Sequence, residues 1–121
     1  MDNKQEMTVV GIMNSIDGVN LHEKRGGKFK FRIYMKPGMS ELPIEVLDLS
    51  VRSYNSLKRA GYSTIGALTD AIGSGVELKY IRNCGARSVR EIMERLFLFH
   101  YEALPENRRR EYLDEVIRMN L

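Results

Sequence analysis

The stretch KPGMSELP at residues 36–43 divides the chain into two parts that obey different periods. Its two prolines and one glycine allow neither a continuous helix nor a central strand to cross it. Whatever lies upstream must therefore fold apart from what lies downstream, or return to it only through space. Upstream the apolar residues repeat every second position, and downstream they repeat at helical spacing.

Upstream, KFKFRIYM (28–35) places Phe29, Phe31, Ile33 and Met35 on one face and Lys28, Lys30, Arg32 and Tyr34 on the other. Period two over this length predicts a half-buried strand. The turn signal RGG (25–27) precedes it, with VNLHEK (19–24) as the hairpin partner and MTVVGIM (7–13) as a third strand interrupted by Gly11. The expectation for residues 1–42 is a small antiparallel β segment followed by a linker. Its apolar face is expected to pack on the helical part or on a second copy of the chain, the latter giving a homodimer through these strands. The basic side chains on the other face either face solvent, the reading preferred, or extend an electrostatic footprint.

Downstream, Ser50 can cap a helix carrying Val51, Tyr54 and Leu57 and stopped by Gly61. Ser63 or Thr64 caps the next, with Ile65, Leu68 and Ile72 inward and Gly73 at its end. A short helix is expected near Val76–Ile81. A longer one then carries Val89, Ile92, Met93, Leu96 and Phe97, the stripe of a core-facing helix. Pro105 suits the first turn of a last helix, where Tyr112, Leu113, Val116 and Ile117 form the apolar face. The fold expected is mainly α: a compact four- to five-helix domain over residues 43–100, preceded by the β segment and followed by an appended helix over 101–121.

Between the short and the long helix lies IRNCGARSVREI (81–92). Gly85 permits φ > 0 and a close approach of backbone N–H groups. The helix that follows opens with unpaired N–H groups and a positive dipole end, a setting suited to phosphate. Arg87 adds charge and Ser88 a hydroxyl. Gly-x-x-Ser by itself is equally well explained as a turn between two helices.

Charge permits an anionic partner without demanding one. Six basic and no acidic side chains fall in residues 24–36, eight basic and six acidic in 43–100, and four basic and five acidic in 101–121. The single cysteine, Cys84, excludes an internal disulfide framework and fits a reducing, cytoplasmic setting. No long apolar run suggests a membrane span, and MDNKQEM does not have the order of a signal peptide. His22 and His100 have no serine, acid or cysteine constellation around them, and Cys84 has no base or second thiol. An enzyme, a metal site and a bound cofactor are therefore not expected. The aromatic positions read as core, and NRRREY (107–112) as a solvated helix face. Cys84 beside Arg82 and Arg87 leaves a lowered thiol pKa open, with an ordinary turn cysteine preferred.

Two stretches together change the weighing of the turn. LDLSVRSYNSLKRAGYSTIGAL (47–68), followed by LKYIRNCGARSVREIMERL (78–96), closely resembles the C-terminal domain of the bacterial RNA polymerase alpha subunit in wording, order and spacing. The resemblance covers residues 43–99. It implies a helical domain containing a helix-hairpin-helix that binds the minor groove of A/T-rich DNA and contacts transcription regulators. The amino-terminal domain that assembles the alpha subunit does not fit in 42 residues, so the expectation is a stand-alone protein carrying the borrowed domain.

Carried over by position, the resemblance makes Arg52 the principal groove-entering arginine. A narrow A-tract groove attracts such a cation. Asn55, Ser56, Asn83, Gly85, Arg87 and Ser88 are its companions on DNA. Ser56 stands where a cysteine is frequent, and Arg87 where a lysine is. Glu91 has a family counterpart, with an orienting role on an arginine suggested. Ala86 replaces a common basic residue and Cys84 an aliphatic one. Asp48 keeps one acid of an edge that some relatives use on sigma factor, whereas Val46 replaces another. Two functions follow: a non-enzymatic, transcription-related DNA-binding protein, or an adapter docking on RNA polymerase, a sigma factor or a regulator, with DNA contact secondary or lost. The joint presence of Arg52, Asn55, Gly85, Arg87 and Ser88 favours the first.

Overall fold

The computed structural model of the chain describes residues 31–120. The strands expected over 7–13 and 19–24, the start of the one over 28–35, and any dimer contact through them lie outside those residues. Phe31 to Lys36 form no regular element. The expected alternation of burial nevertheless holds for four residues: Phe31 and Ile33 are half-buried, and Arg32 and Tyr34 exposed. It fails at Met35, which is exposed on the approach to the Pro37 turn.

Four α-helices follow among the described residues: α1 (Val51–Arg59), α2 (Ile65–Gly73), α3 (Ala86–Ala103) and α4 (Glu106–Asn120). Short 3-10 turns at Ile44–Leu47 and Leu78–Tyr80 precede α1 and α3. The second is shorter than the helix expected around Val76–Ile81. None of these helices is long and apolar enough to cross a membrane. The described residues group into two compact units, one of Ile33–Ile92 and one of residues 31–32 with 93–120. The division runs through α3, which contributes its first turns to one unit and the remainder to the other.

In the Ile33–Ile92 unit, helix ends are set by local chemistry. The Ser50 hydroxyl accepts from the Ser53 N–H at 3.3 Å, and the Thr64 hydroxyl from the Ala67 N–H at 3.1 Å. At the other end of α1, Gly61 adopts φ +95 and donates to Lys58, while the Tyr62 N–H donates to the Leu57 carbonyl. That is a Schellman closure, and it recurs after α2 with Gly75 at φ +100. Gly73 is thus the last helical residue, and the left-handed step falls two residues later. A Cβ on Gly66 would stand 2.8 Å from Ser40, so glycine there admits the 40–42 backbone against α2. The Gly66 N–H donates to Ser40 and the Ile65 N–H to Leu42, at 2.9 and 2.8 Å. Ile44, Leu47, Leu57, Ile65, Leu68, Leu78, Cys84 and Ile92 are all buried.

In the other unit, Phe97, Tyr112 and Val116 form the core, joined by Phe31, Tyr101 and Leu113. The Tyr112 hydroxyl donates to the Arg32 carbonyl at 2.7 Å, and Phe31 meets Phe97 edge-on. Arg109 donates to the Leu104 and Glu102 carbonyls near the end of α3 and lies over the Tyr101 ring. There a cation offsets the negative end of the helix dipole. Arg108 and Arg110 pair with Glu111 and Asp114, as expected for a solvated face.

Candidate nucleic-acid interface

The inward face of α1 is not the one its apolar residues suggest. Val51 is 75% exposed and Tyr54 half-buried, whereas Ser53, Ser56 and Leu57 are buried. Burying two hydroxyls is tolerable only if both find partners, and each has at least one partner distant in sequence. The Ser53 hydroxyl donates to Glu91 at 2.5 Å, and the Ser56 hydroxyl lies 3.0 Å from the carbonyls of Arg52 and Asn83.

Glu91 does more than satisfy Ser53. Its carboxylate also accepts from the Ser50 N–H at 2.7 Å and the Ser50 hydroxyl at 2.8 Å. In a capping box, a glutamate three residues after the cap reaches back to the cap N–H. Here Ser53 occupies that position, and Glu91 of α3 supplies the carboxylate from 41 residues away. The negative charge sits at the positive end of the α1 dipole, where it is most favourable. Glu91 thus bonds to the cap of the helix that carries Arg52, and these three bonds of its carboxylate go to serines, not to the arginine that the resemblance suggested. Tyr54 adds a second tie to the segment before α1 by donating to Glu45 at 2.6 Å. That bond holds the Glu45 carboxyl below its ordinary pKa.

Arg52 lies in the first turn of α1, exposed. Asn55 is half-buried one turn on. Ser56, expected as a phosphate donor, is only 2% exposed; its hydroxyl faces the Asn83 carbonyl and joins α1 to the turn before α3. Ser88 is likewise buried, while Asn83, Gly85 and Arg87 are exposed. Asp48 is exposed with φ 55, beside exposed Val46. Among the described residues, Arg52, Arg87 and Arg90 have no acidic partner, in contrast to the paired arginines of α4.

The turn differs in detail from expectation. The Cys84 N–H donates to the Ile81 carbonyl at 3.0 Å, and the left-handed residue is Asn83, at φ 66, not Gly85. A positive φ at the third position defines a type II turn, and asparagine tolerates it because its short polar side chain relieves the usual penalty. Gly85 instead caps α3, its carbonyl accepting from the Val89 N–H at 2.9 Å. A Cβ there would meet no atom within 4 Å. The fold does not need glycine at this position, and the space in front of the α3 N-terminus is open.

Cys84 is buried, and burial pushes its thiol pKa up. The lowering that its arginine neighbours allowed does not occur, because desolvation of the thiolate dominates. We expect its reaction with a disulfide reagent at pH 8 to be at least about tenfold slower than in the urea-unfolded protein. Equal rates would show that the turn is open in solution. Among the described residues no three His, Cys, Asp or Glu side chains gather as metal ligands.

Sequence reasoning missed Ser50 and Ser53 as partners of Glu91, and also Arg59 and Arg82, which flank a cleft beside Asn83. The cap at Ser50 was legible, but its carboxylate partner was not, since no local pattern connects positions 50 and 91.

Comparison with known proteins by sequence finds relatives of the segment that carries these helices and the turn. The DNA-directed RNA polymerase subunit alpha of Carboxydothermus hydrogenoformans is 46% identical over 61 residues, covering 50% of this chain and 19% of that protein. The same subunit of Leuconostoc mesenteroides is 56% identical over 54 residues, covering 45% of this chain and 17% of that protein. That of Desulforudis audaxviator is 37% identical over 87 residues, covering 72% of this chain and 25% of that protein. The chain thus spans a quarter or less of the length of these curated relatives. No solved structure matches it. The family described as the C-terminal domain of the bacterial RNA polymerase alpha subunit matches residues 36–97, which include both α1 and the turn before α3. The protein belongs to that family.

Proposed function

We propose that this protein is a non-enzymatic, transcription-related protein that binds the minor groove of A/T-rich duplex DNA. Arg52 reads the groove, and the turn with the α3 N-terminus, from Asn83 to Arg87, holds the phosphate backbone. The observation that carries the reading is the bond from Ser56 to the Asn83 carbonyl. It joins two separately exposed elements, one presenting Arg52 and the other Gly85 and Arg87, neither arginine having an acidic partner among the described residues. Asn55 supports the α1 side, while Ser56, Ser88 and Glu91 act through position.

Fluorescence anisotropy on A/T-rich and G/C-rich duplexes over a salt series tests this reading. Tighter binding to A/T-rich DNA is expected, with affinity falling as salt rises because phosphate contacts release counterions. No binding to either duplex at low salt would end it. A second variant probes the turn. Gly85→Ala should cost about 1 kcal/mol of stability, because alanine is a markedly poorer N-cap than glycine while its methyl group meets no neighbouring atom. DNA affinity should fall about tenfold, because the methyl group occupies the approach to the α3 N–H groups. Unchanged affinity would take the α3 N-terminus out of the interface.

The adapter reading rests on a different surface. Val51 is 75% and Val46 41% exposed, on either side of Asp48 in sequence. Apolar side chains left in water near the exposed acids Glu45 and Asp48 suit a protein partner such as polymerase, a sigma factor or a regulator. Pull-down with polymerase holoenzyme, comparing wild type with Val51→Lys, examines that surface independently of DNA.

A further inference from the structure

A cleft of about 460 Å³ opens beside the proposed interface, lined by Ser56, Arg59, Ala60, Ile81, Arg82 and Asn83. Arg59 is the last residue of α1, and Arg82 lies in the turn before α3. Both are exposed and have no acidic partner among the described residues, whereas Lys79 nearby in sequence pairs with Glu77 at 3.5 Å. Arg59 is not needed to close its own helix. The Leu57 and Lys58 carbonyls at that end already accept from the Tyr62 and Gly61 N–H groups.

Two arginines on an open cleft attract an anion, and the remaining lining narrows the class. The apolar part consists of Ala60 and Ile81 only. No aromatic side chain lines it, and Ile81, half-buried, is the one large aliphatic residue on its wall. A small apolar wall in a cleft that also carries two cations suits a deoxyribose flanked by phosphates. The cleft is also continuous with the proposed interface, because Ser56 and Asn83 line it and are bonded to each other.

We propose that this cleft takes a further stretch of the DNA sugar–phosphate backbone, with Arg59 and Arg82 on phosphates beyond those reached by the α3 N-terminus. The proposal rests on the DNA-binding reading and adds to it a longer footprint, independent of base sequence.

The test compares the 121-residue chain with its double variants Arg59→Gln/Arg82→Gln and Arg59→Lys/Arg82→Lys, after circular dichroism has shown matching helicity. Each lost phosphate contact should reduce the slope of log affinity against log salt by about 0.9. The Gln pair should therefore show a slope shallower by about 2, equal fractional loss on A/T-rich and G/C-rich duplexes, and an unchanged ratio between them. The Lys pair, which keeps the charge, should retain most of the slope. A wild-type slope in the Gln pair overturns the cleft proposal while leaving the groove reading standing, and so does a Lys pair as weak as the Gln pair. A wild-type protein that binds neither duplex ends both. Binding of a poly-glutamate peptide that the Gln pair loses, with the DNA slope unchanged, would assign the cleft to an acidic protein surface instead.

Discussion

Arg52→Ala is expected to remove most of the preference for A/T-rich over G/C-rich duplex, a loss of about 1–3 kcal/mol on the favoured DNA. The reason is electrostatic. A narrow A/T-rich minor groove concentrates negative potential, and an extended guanidinium entering it gains more there than in the wider groove of other sequences. Because Arg52 is exposed and has no side-chain partner among the described residues, the same variant should unfold within about 0.5 kcal/mol of wild type. The two measurements separate recognition from stability. Arg52→Lys should keep much of the salt dependence but lose part of the preference, since an ammonium is a compact, strongly hydrated charge. A/T preference persisting in Arg52→Ala would move the groove-reading role to another residue.

The second large effect is expected at Glu91. Glu91→Ala removes the acceptor for the Ser50 N–H and for the Ser50 and Ser53 hydroxyls together. Hydrogen bonds to a charged group contribute about 1.5–3 kcal/mol in favourable cases. Glu91 and Ser50 are partly open to water, so water replaces some of what is lost. Ser53 is fully buried and has no such recourse. A net destabilisation of about 2–3 kcal/mol, read as a lower urea midpoint at unchanged slope, is the expected result. Glu91→Gln should fall between the two. Its amide keeps one acceptor but can turn a donor toward the Ser50 N–H. DNA affinity should drop in both even where they remain folded, because the first turn of α1 carries Arg52 and loses its anchor to α3. A Glu91→Ala midpoint equal to wild type would show that the Ser50 cap is sufficient by itself.

Much of the helical framework was legible from residues near in sequence. The caps at Ser50 and Thr64, the stop at Gly61 and the α3 stripe through Ile92, Leu96 and Phe97 all depend on interactions within a few positions of one another. So does the solvated face of α4, where Arg108 and Arg110 find acids three and four residues on. The inner face of α1 was not legible. Apolar spacing favours Val51, Tyr54 and Leu57, yet the helix buries Ser53 and Ser56 and leaves Val51 in water. The left-handed step of the turn was not legible either, since glycine and asparagine both accept it and Gly85 offers the stronger local signal.

By itself, then, the sequence determined where the period changes, the caps and stops of α1 and α2, and, through wording over residues 43–99, the family to which the protein belongs. Only the tertiary structure decided which polar groups are interior and what they hold. Ser56 reaches Asn83 across 27 residues and Ser53 reaches Glu91 across 38. A buried hydroxyl is stable only when its partner is brought to it, and that partner leaves no trace in the periodicity of either helix. The same folding that joins α1 to the turn also sets Arg59 and Arg82 on one cleft, a pairing that exists in space alone.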